Sequence, residues 1–330
     1  MKVLAVNCGS SSLKWALFDG DRCVQGGSVA VAAPATHADA VRAALEQLPA
    51  PDAVGHRLVH GGPSLQAPAR IDAAVLAALG EAVPFAPLHL PPAIAAIEAV
   101  AERHPQLPQV ACFDTAFHRT LPEVARRFPL PERIDALGVR RYGFHGLSYE
   151  WAISQVGARG RVVIAHLGNG ASLCAVRDGV SIDTTMGLTP AGGIMSGTRS
   201  GDIDPGVLLF LLERMPVKEV ARLVDRESGL LGVSGATSDM KALLASSDPR
   251  ARLAVEMFCT QVRKAVGALA AALGGLDLLV FTGGIGEHAA PVRERICAGL
   301  AHLGGFEVRV VAADEERMIA LHTARAVAQG

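Results

Sequence analysis

The sequence predicts an α/β protein built from two copies of one domain, and three observations carry that expectation. Residues 3 to 20 and 162 to 179 align without a gap: Val-Leu-Ala-Val-Asn-Cys-Gly-Ser-Ser-Ser-Leu-Lys-Trp-Ala-Leu-Phe-Asp-Gly lies over Val-Val-Ile-Ala-His-Leu-Gly-Asn-Gly-Ala-Ser-Leu-Cys-Ala-Val-Arg-Asp-Gly. Apolar runs at 53 to 59, 108 to 113 and 277 to 282 each lead into a polar or Gly-bearing turn, where open α/β sheets place their ligands. Helical spacing recurs at 37 to 48, 91 to 103, 250 to 273 and 314 to 328, which supplies crossover helices to cover the sheets.

Each copy of the repeat reads as a strand, a Gly-rich turn, a second strand and an Asp-Gly turn into a third. A repeat of this size points to duplication; two unrelated hairpins of like composition are the plainer alternative. Within 250 to 273, Ala251, Val255, Phe258, Val262, Val266, Leu269 and Leu273 fall at steps of three or four, one helix face. The first domain is expected at 1–118 with a terminal helix, 314–330, returning to it, and the second at 119–313. The cleft between them is where chemistry is expected.

Composition narrows the function. With 330 residues, 50% hydrophobic and 19% charged, the chain reads as a soluble globular protein with sizeable cores rather than a disordered one. A formal net charge of -1, no long basic run and two Trp and two Tyr give no sign of nucleic-acid binding. Cys8, Cys23, Cys112, Cys174, Cys259 and Cys297 form no C-x-x-C pair, which reads as buried reduced thiols in a cytoplasmic protein. The opening apolar run is too short for a signal peptide, and Ala265 to Leu273 falls short of a membrane span.

The stretch from Asp183 to Pro205 holds few core hydrophobes and many Gly, Thr and Ser around Arg199. It makes poor helix and poor strand but a good mould for an anion. Asn7 to Lys14 leaves a strand and turns on Gly9 and three serines, so backbone N–H groups, hydroxyls and Lys14 could cradle phosphate. It is not a Walker A loop, and alone it would read equally as a hairpin. Gly168-Asn169-Gly170 echoes it in the second copy. Thr282-Gly-Gly-Ile-Gly-Glu287 follows Leu278 to Phe281, and its glycines permit close approach to a nucleotide. It lacks the G-x-G-x-x-G spacing, and a tight structural turn is the alternative.

Arg57 ends a strand between His56 and His60. Like Arg199, it offers a guanidinium that binds carboxylate or phosphoryl oxygens bidentately or serves a structural ion pair. Asp114 follows Val110 to Phe113 at the edge of a sheet, as a ligand-facing carboxylate or a cap. His145 taken alone reads as packed or surface. Asp204-Pro205 before an apolar run is an N-cap and first helical residue, so Asp204 is read as structural. No H-x-x-x-H array with a third ligand calls for zinc.

Seven ordered segments, Asn7 to Lys14, Gly55 to Gly62, Phe113 to His118, Arg141 to Gly146, His166 to Ser172, Asp183 to Pro205 and Thr282 to Glu287, together resemble the acetate kinase family. The chain looks like a shortened member. The resemblance implies two actin-like (ribonuclease H-like) domains and reversible ATP-dependent phosphorylation of acetate to acetyl phosphate by in-line transfer. Propionate or another short carboxylate is the alternative substrate, and a non-catalytic actin-like nucleotide-binding protein is the remote one. By the same carry-over Arg57, Arg199, Asp114 and His145 are catalytic. Ser10, Ser12, Lys14, Asn169 and Gly170 would line the phosphates of ATP or ADP, with His166, Asp239, Lys241, Gly283, Gly284, Gly286 and Glu287 also at the nucleotide. Arg57, Val59, Leu88, Phe144 and Pro190 would form the substrate pocket, and Asn7 and Glu315 would lie near Mg²⁺, with Mn²⁺ as its substitute. Val59, two residues after Arg57, is expected on the same strand face. An isologous homodimer formed mostly by the second domain is also implied.

The chain departs from the family pattern in places. Tyr149 stands where a histidine is usual, His288 where asparagine is common, and Asp239-Met240-Lys241 where relatives often place an aromatic or aliphatic residue and an arginine beside the base. Asp314-Glu-Glu316 replaces Asn-Glu-Glu.

Overall fold

The computed structural model describes residues 1–9, 12–31 and 36–329, so Ser10 lies outside the described residues. The chain forms two compact units: Met1–Arg119 with Phe144–Trp151 and Asp314–Gly330, and Thr120–Gly143 with Ala152–Ala313.

In the first unit β1 (Lys2–Cys8), β2 (Ser12–Asp19) and β3 (Arg22–Ala30) form an antiparallel meander. β4 (Ala53–Leu58) and β6 (Gln109–Phe113) extend it in parallel with β1, and the short β5 (Ala69–Arg70) closes the order β3-β2-β1-β4-β6-β5. The second unit has β7 (Arg161–Leu167), β8 (Ala171–Arg177), β9 (Val180–Thr184), β10 (Leu278–Thr282) and β11 (Glu307–Val310) in the order β11-β10-β7-β8-β9. The sequence repeat is therefore structural. In both units a meander's first strand pairs in parallel with a later strand, β1 with β4 and β7 with β10. Each meander also carries an irregularity between its second and third strands, at Leu17/Phe18 and at Ala175/Val176.

The second core forms around the helix Pro249–Leu273. Asp248 caps its start by accepting the Arg250 N–H at 2.7 Å, and Gly274, with φ of 73°, stops it. All seven apolar positions expected from the spacing, Ala251 through Leu273, are buried, and they share a core with Val163, Leu173 and Phe281. Full burial stabilises by roughly 1.5–3 kcal/mol for each large side chain.

In the first unit the terminal helix, Glu315–Ala328, is capped by Asp314, which accepts the Arg317 N–H at 3.0 Å. It buries Met318, Ile319 and Ala320 in a core with Val3, Ala5, Val110 and Cys112. Gly55 permits this approach, because a Cβ there would collide with the Thr323 hydroxyl and the Ile319 side chain.

Two expectations need correction. β4 ends at Leu58, whose carbonyl accepts the Asp114 N–H at 3.0 Å; Val59 lies past that last rung, so strand alternation does not place it with Arg57. The thiols are all free, but only Cys8, Cys112, Cys174 and Cys259 are buried. Cys23 is exposed because edge strand β3 is covered on neither face, and Cys297 is half-buried. Among the described residues no helix is long and apolar enough to cross a membrane.

Candidate active site

The residue pairing of the first sheet builds a polar row at one end of its core. Lys14, Asn7, Arg57 and Cys112 stand side by side across β2, β1, β4 and β6, so their side chains share a face. On β1 that face begins apolar, at Val3 and Ala5, and turns polar at Asn7; on β4 it passes from Gly55 to Arg57. The terminal helix covers the apolar part and sets its first residues, Glu315 and Glu316, at the polar end. Two carboxylates in a helix's first turn also suit the partial positive charge there.

Arg57 is the hub. Its Nε lies 3.0 and 3.1 Å from the two Asp114 carboxylate oxygens, and its Nη2 donates to Oδ2 at 2.6 Å. Nη1 donates to Asn7 Oδ1 at 2.9 Å and sits 3.5 Å from Glu315 Oε2. The Asn7 amide donates in turn to Glu315 Oε2 at 3.1 Å and Glu316 Oε1 at 2.9 Å. The Asp114 side chain is 1% exposed and that of Arg57 15%, so the pair is largely withdrawn from water. Burial opposes the Arg57 charge, but the Asp114 and Glu315 carboxylates outweigh it and hold the guanidinium firmly protonated. Burial pushes the Asp114 carboxyl up, against the charge and hydrogen bonds of Arg57.

His145 is buried beside this cluster, with φ of 57°. For a non-glycine residue that conformation costs about 1–2 kcal/mol and marks a constrained position. Its backbone N–H reaches the Asp114 carboxylate, and the next N–H, of Gly146, donates to the Asp114 carbonyl at 2.9 Å. Glycine is required at 146 because a Cβ would collide with that carbonyl. Phe144 is 1% exposed and Val59 8%, whereas Leu88, in a turn, is 41% exposed. Lys14 is exposed and Ser12 opens β2.

In the second unit the Gly/Thr/Ser stretch is an ordered, non-helical loop, as its composition implies. The Gly197 N–H donates to the Asn169 carbonyl at 2.8 Å, the Leu230 N–H to Ser196 O at 2.9 Å, and the Ser228 N–H to Thr198 O at 2.9 Å. The structure thus brings the Gly168–Gly170 turn against the Arg199 loop. Arg199 Nη1 is 3.5 Å from the Pro190 carbonyl, and its charge opposes the upward push of burial on Asp225. Asp204 caps the helix Pro205–Leu212, accepting the Gly206 N–H at 2.8 Å.

Other expected residues have plain structural contacts. Thr282 pairs with His166 across β10 and β7, and Gly283, Gly284 and Gly286 lie in the short helix Gly283–His288 that follows. Glu287 accepts the Ala313 N–H at 3.0 Å. Asp239 accepts the Lys241 N–H at 3.0 Å and caps the helix Met240–Ala245, with both side chains exposed. Sequence reasoning missed Glu316, which joins the Arg57 cluster through Asn7, and His118, which bonds to the Phe144 carbonyl. Glu316 shared the Asp-Glu-Glu signal with Glu315, and His118 closed the Phe113 to His118 motif without a role.

The arrangement holds a guanidinium rigid beside hard oxygen donors, which suits an anion and a phosphoryl group. Comparison with known proteins agrees. The acetokinase family profile matches residues 23–327. An acetate kinase from Rhodopseudomonas palustris is 55% identical over 261 residues, 76% of this chain and 66% of that protein, so the match spans just under two-thirds of that relative's length. The crystal structure of Porphyromonas gingivalis acetate kinase aligns with a TM-score of 0.88 at 36% identity over 99% of both chains. That of a propionate kinase from Francisella tularensis aligns with a TM-score of 0.90 at 34% identity, over 98% of this chain and 99% of the other. A profile match across most of the chain, on two mixed sheets with flanking helices like those of the solved kinases, places this chain in the acetokinase family.

Proposed function

We propose that the chain catalyses reversible phosphoryl transfer between ATP and acetate, giving acetyl phosphate and ADP. The observation that carries this reading is the Arg57 guanidinium fixed along one edge by Asp114. Nη1 and Nη2 each carry a second N–H besides those given to Asn7 and Asp114, and these would meet an incoming carboxylate or phosphoryl oxygen. Acetate is ionised at neutral pH and needs no general base. Its oxygen forms a bond to the γ-phosphorus as the bond to the bridging oxygen of ADP breaks. Arg57 and Arg199 neutralise the charge of that transition state and His145 donates to it, which is electrostatic preorganisation. Asp114 acts by holding Arg57. Val59 and Phe144, both buried, would meet the methyl group, with Leu88 and Pro190 at the rim.

The donors also fit a divalent cation. The Glu315 and Glu316 carboxylates converge on the Asn7 amide nitrogen, while the Asn7 oxygen accepts from Arg57; two hard carboxylates side by side suit Mg²⁺, which takes one or two of them together with waters and phosphates. Asn7 and Glu315 would hold Mg²⁺, or Mn²⁺, which when bound lowers the charge on the nucleotide phosphates. Ser12, Lys14, Asn169 and Gly170 would face those phosphates, with His166, Asp239, Lys241 and the Gly283 to Glu287 turn at the nucleotide. The test is purified protein with ATP, Mg²⁺ and acetate, trapping acyl phosphate with hydroxylamine. Turnover of sugars or glycerol and of no short carboxylate would refute the reading.

The propionate kinase from Francisella tularensis supports a second reading, in which propionate is the preferred acid. A homodimer and a cytoplasmic location belong to the same proposal. The exposed helix Pro205–Leu212, with Leu209 66% and Phe210 55% exposed, supports dimerisation through the second unit. Sedimentation of wild type and Leu209→Asp tests it: a wild-type monomer at micromolar concentration contradicts the dimer.

A further inference from the structure

We propose that His118 is a positioning residue that clamps the peptide unit before His145, an inference that rests on the kinase reading. His118 is 2% exposed, and its Nε2 lies 3.0 Å from the Phe144 carbonyl oxygen. A carbonyl only accepts, so Nε2 carries the proton and donates.

Phe144 and His145 share one peptide unit. Its oxygen is held by His118, and its N–H is held by the Asp114 carboxylate. Both ends of the plane are therefore fixed, and both clamps come from the segment that follows β6, Asp114 from its turn and His118 from the 3-10 helix Ala116–Thr120. The orientation of this plane determines φ of His145, 57°, a region that bulky residues seldom occupy. The direction of the His145 side chain follows from it. His118 is itself immobilised: the fully buried Tyr149 ring meets it edge-on with centroids 5.6 Å apart, and Phe117 flanks it at the same separation. Tyr149 thus has a task in this chain, as the wall that keeps the clamp in place.

Two variants separate the donor from the volume it fills. His118→Leu occupies the space and cannot donate, whereas His118→Gln keeps an N–H. In the acyl phosphate assay His118→Leu should lower kcat by about 10- to 100-fold, with KM for ATP within a factor of about three, as expected for misplacement of a transition-state donor. His118→Gln should recover to within about fivefold of wild type. In a His145→Ala background His118→Leu should cost less than about threefold, because the group it positions is gone. Multiplicative losses in the double variant, or a Gln variant as slow as the Leu variant, overturn the proposal. ¹⁵N NMR of His118 in the wild-type protein decides the matter if the Leu variant does not fold. A protonated Nε2 at neutral pH is expected, and a bare Nε2 removes the bond and the proposal with it. Wild-type protein without carboxylate kinase activity would instead refute the kinase reading, with the NMR result still testing the clamp.

Discussion

Arg57 and Asp114 meet edge to edge, with hydrogen bonds of 3.0, 3.1 and 2.6 Å from one side of the guanidinium to both carboxylate oxygens. Removing one partner of such a buried pair is costlier than the pair is stabilising, since it leaves the other charge without compensation.

Asp114→Asn is isosteric and abolishes that compensation, leaving Glu315 at 3.5 Å as the nearest remaining anion. Stability should fall by about 3–5 kcal/mol, and kcat by about 10² as Arg57 loses its fixed orientation. Urea unfolding and the trapping assay measure the two effects. An unchanged unfolding midpoint would show that the pair is not desolvated as described.

Arg199→Ala should lower kcat by about 10² or more while leaving the fold intact. Its loop is held chiefly by backbone bonds through Ser196, Gly197 and Thr198, none of which uses the guanidinium. Circular dichroism and turnover together check this. Near-normal turnover would remove Arg199 from the electrostatic role.

Val59 should set the upper length of the acid. One methylene is worth roughly 1–3 kcal/mol in a fitted apolar pocket, so acetate should lead propionate by about tenfold to a few hundredfold in kcat/KM. Val59→Ala should narrow the ratio. If the ratio does not move, selectivity belongs to Leu88, Phe144 or Pro190. A wild-type preference for propionate would favour the second reading.

His56 gives the first unit a specific acid sensitivity. Burial pushes its pKa down to about 4, against the hydrogen bond to Gln109 Oε1 at 2.7 Å. Its folded value lies below the unfolded one near 6.5, so the unfolded chain binds the extra proton between them. The contribution is complete above pH 6.5 and is lost as the pH falls toward 4, by up to about 3 kcal/mol. Unfolding midpoints between pH 7 and 4 should decline less steeply in His56→Gln. An NMR titration of His56 with a midpoint near 6.5 in folded protein would contradict the assignment.

The sequence exposed what depends on local periodicity. The helix Pro249–Leu273 was legible because its seven core positions repeat at helical steps, and the duplicated hairpins because the same turn chemistry recurs in register. Arg57 and Asp114 were legible as residues but not as a pair. Their contact is made by parallel pairing of β4 with β6, which no local pattern encodes. The same holds for Asn7 with Glu315 and Glu316, joined only by the fold. Val59 was misplaced because an apolar run shows where a strand is favoured, whereas the last backbone bond, at Leu58, shows where it stops. His118 bonds to a backbone carbonyl, an acceptor that every residue carries, so nothing in the sequence marks Phe144 as its partner.

The terminal helix makes the order of folding differ from the order of synthesis. The face of β1, β4 and β6 that it covers is translated early, and its cover, Met318 to Ala320, comes near the end. At about 5–20 residues per second that face stays open on the ribosome for on the order of 10 s or more. The continuous segment Ala152–Ala313 can meanwhile complete its own core around the helix Pro249–Leu273. The unit begun first is then the last to close, and the step that closes it carries Glu315 and Glu316 to Asn7. A nascent chain arrested before that helix lacks both the cover of its first sheet and the acidic arm of its site.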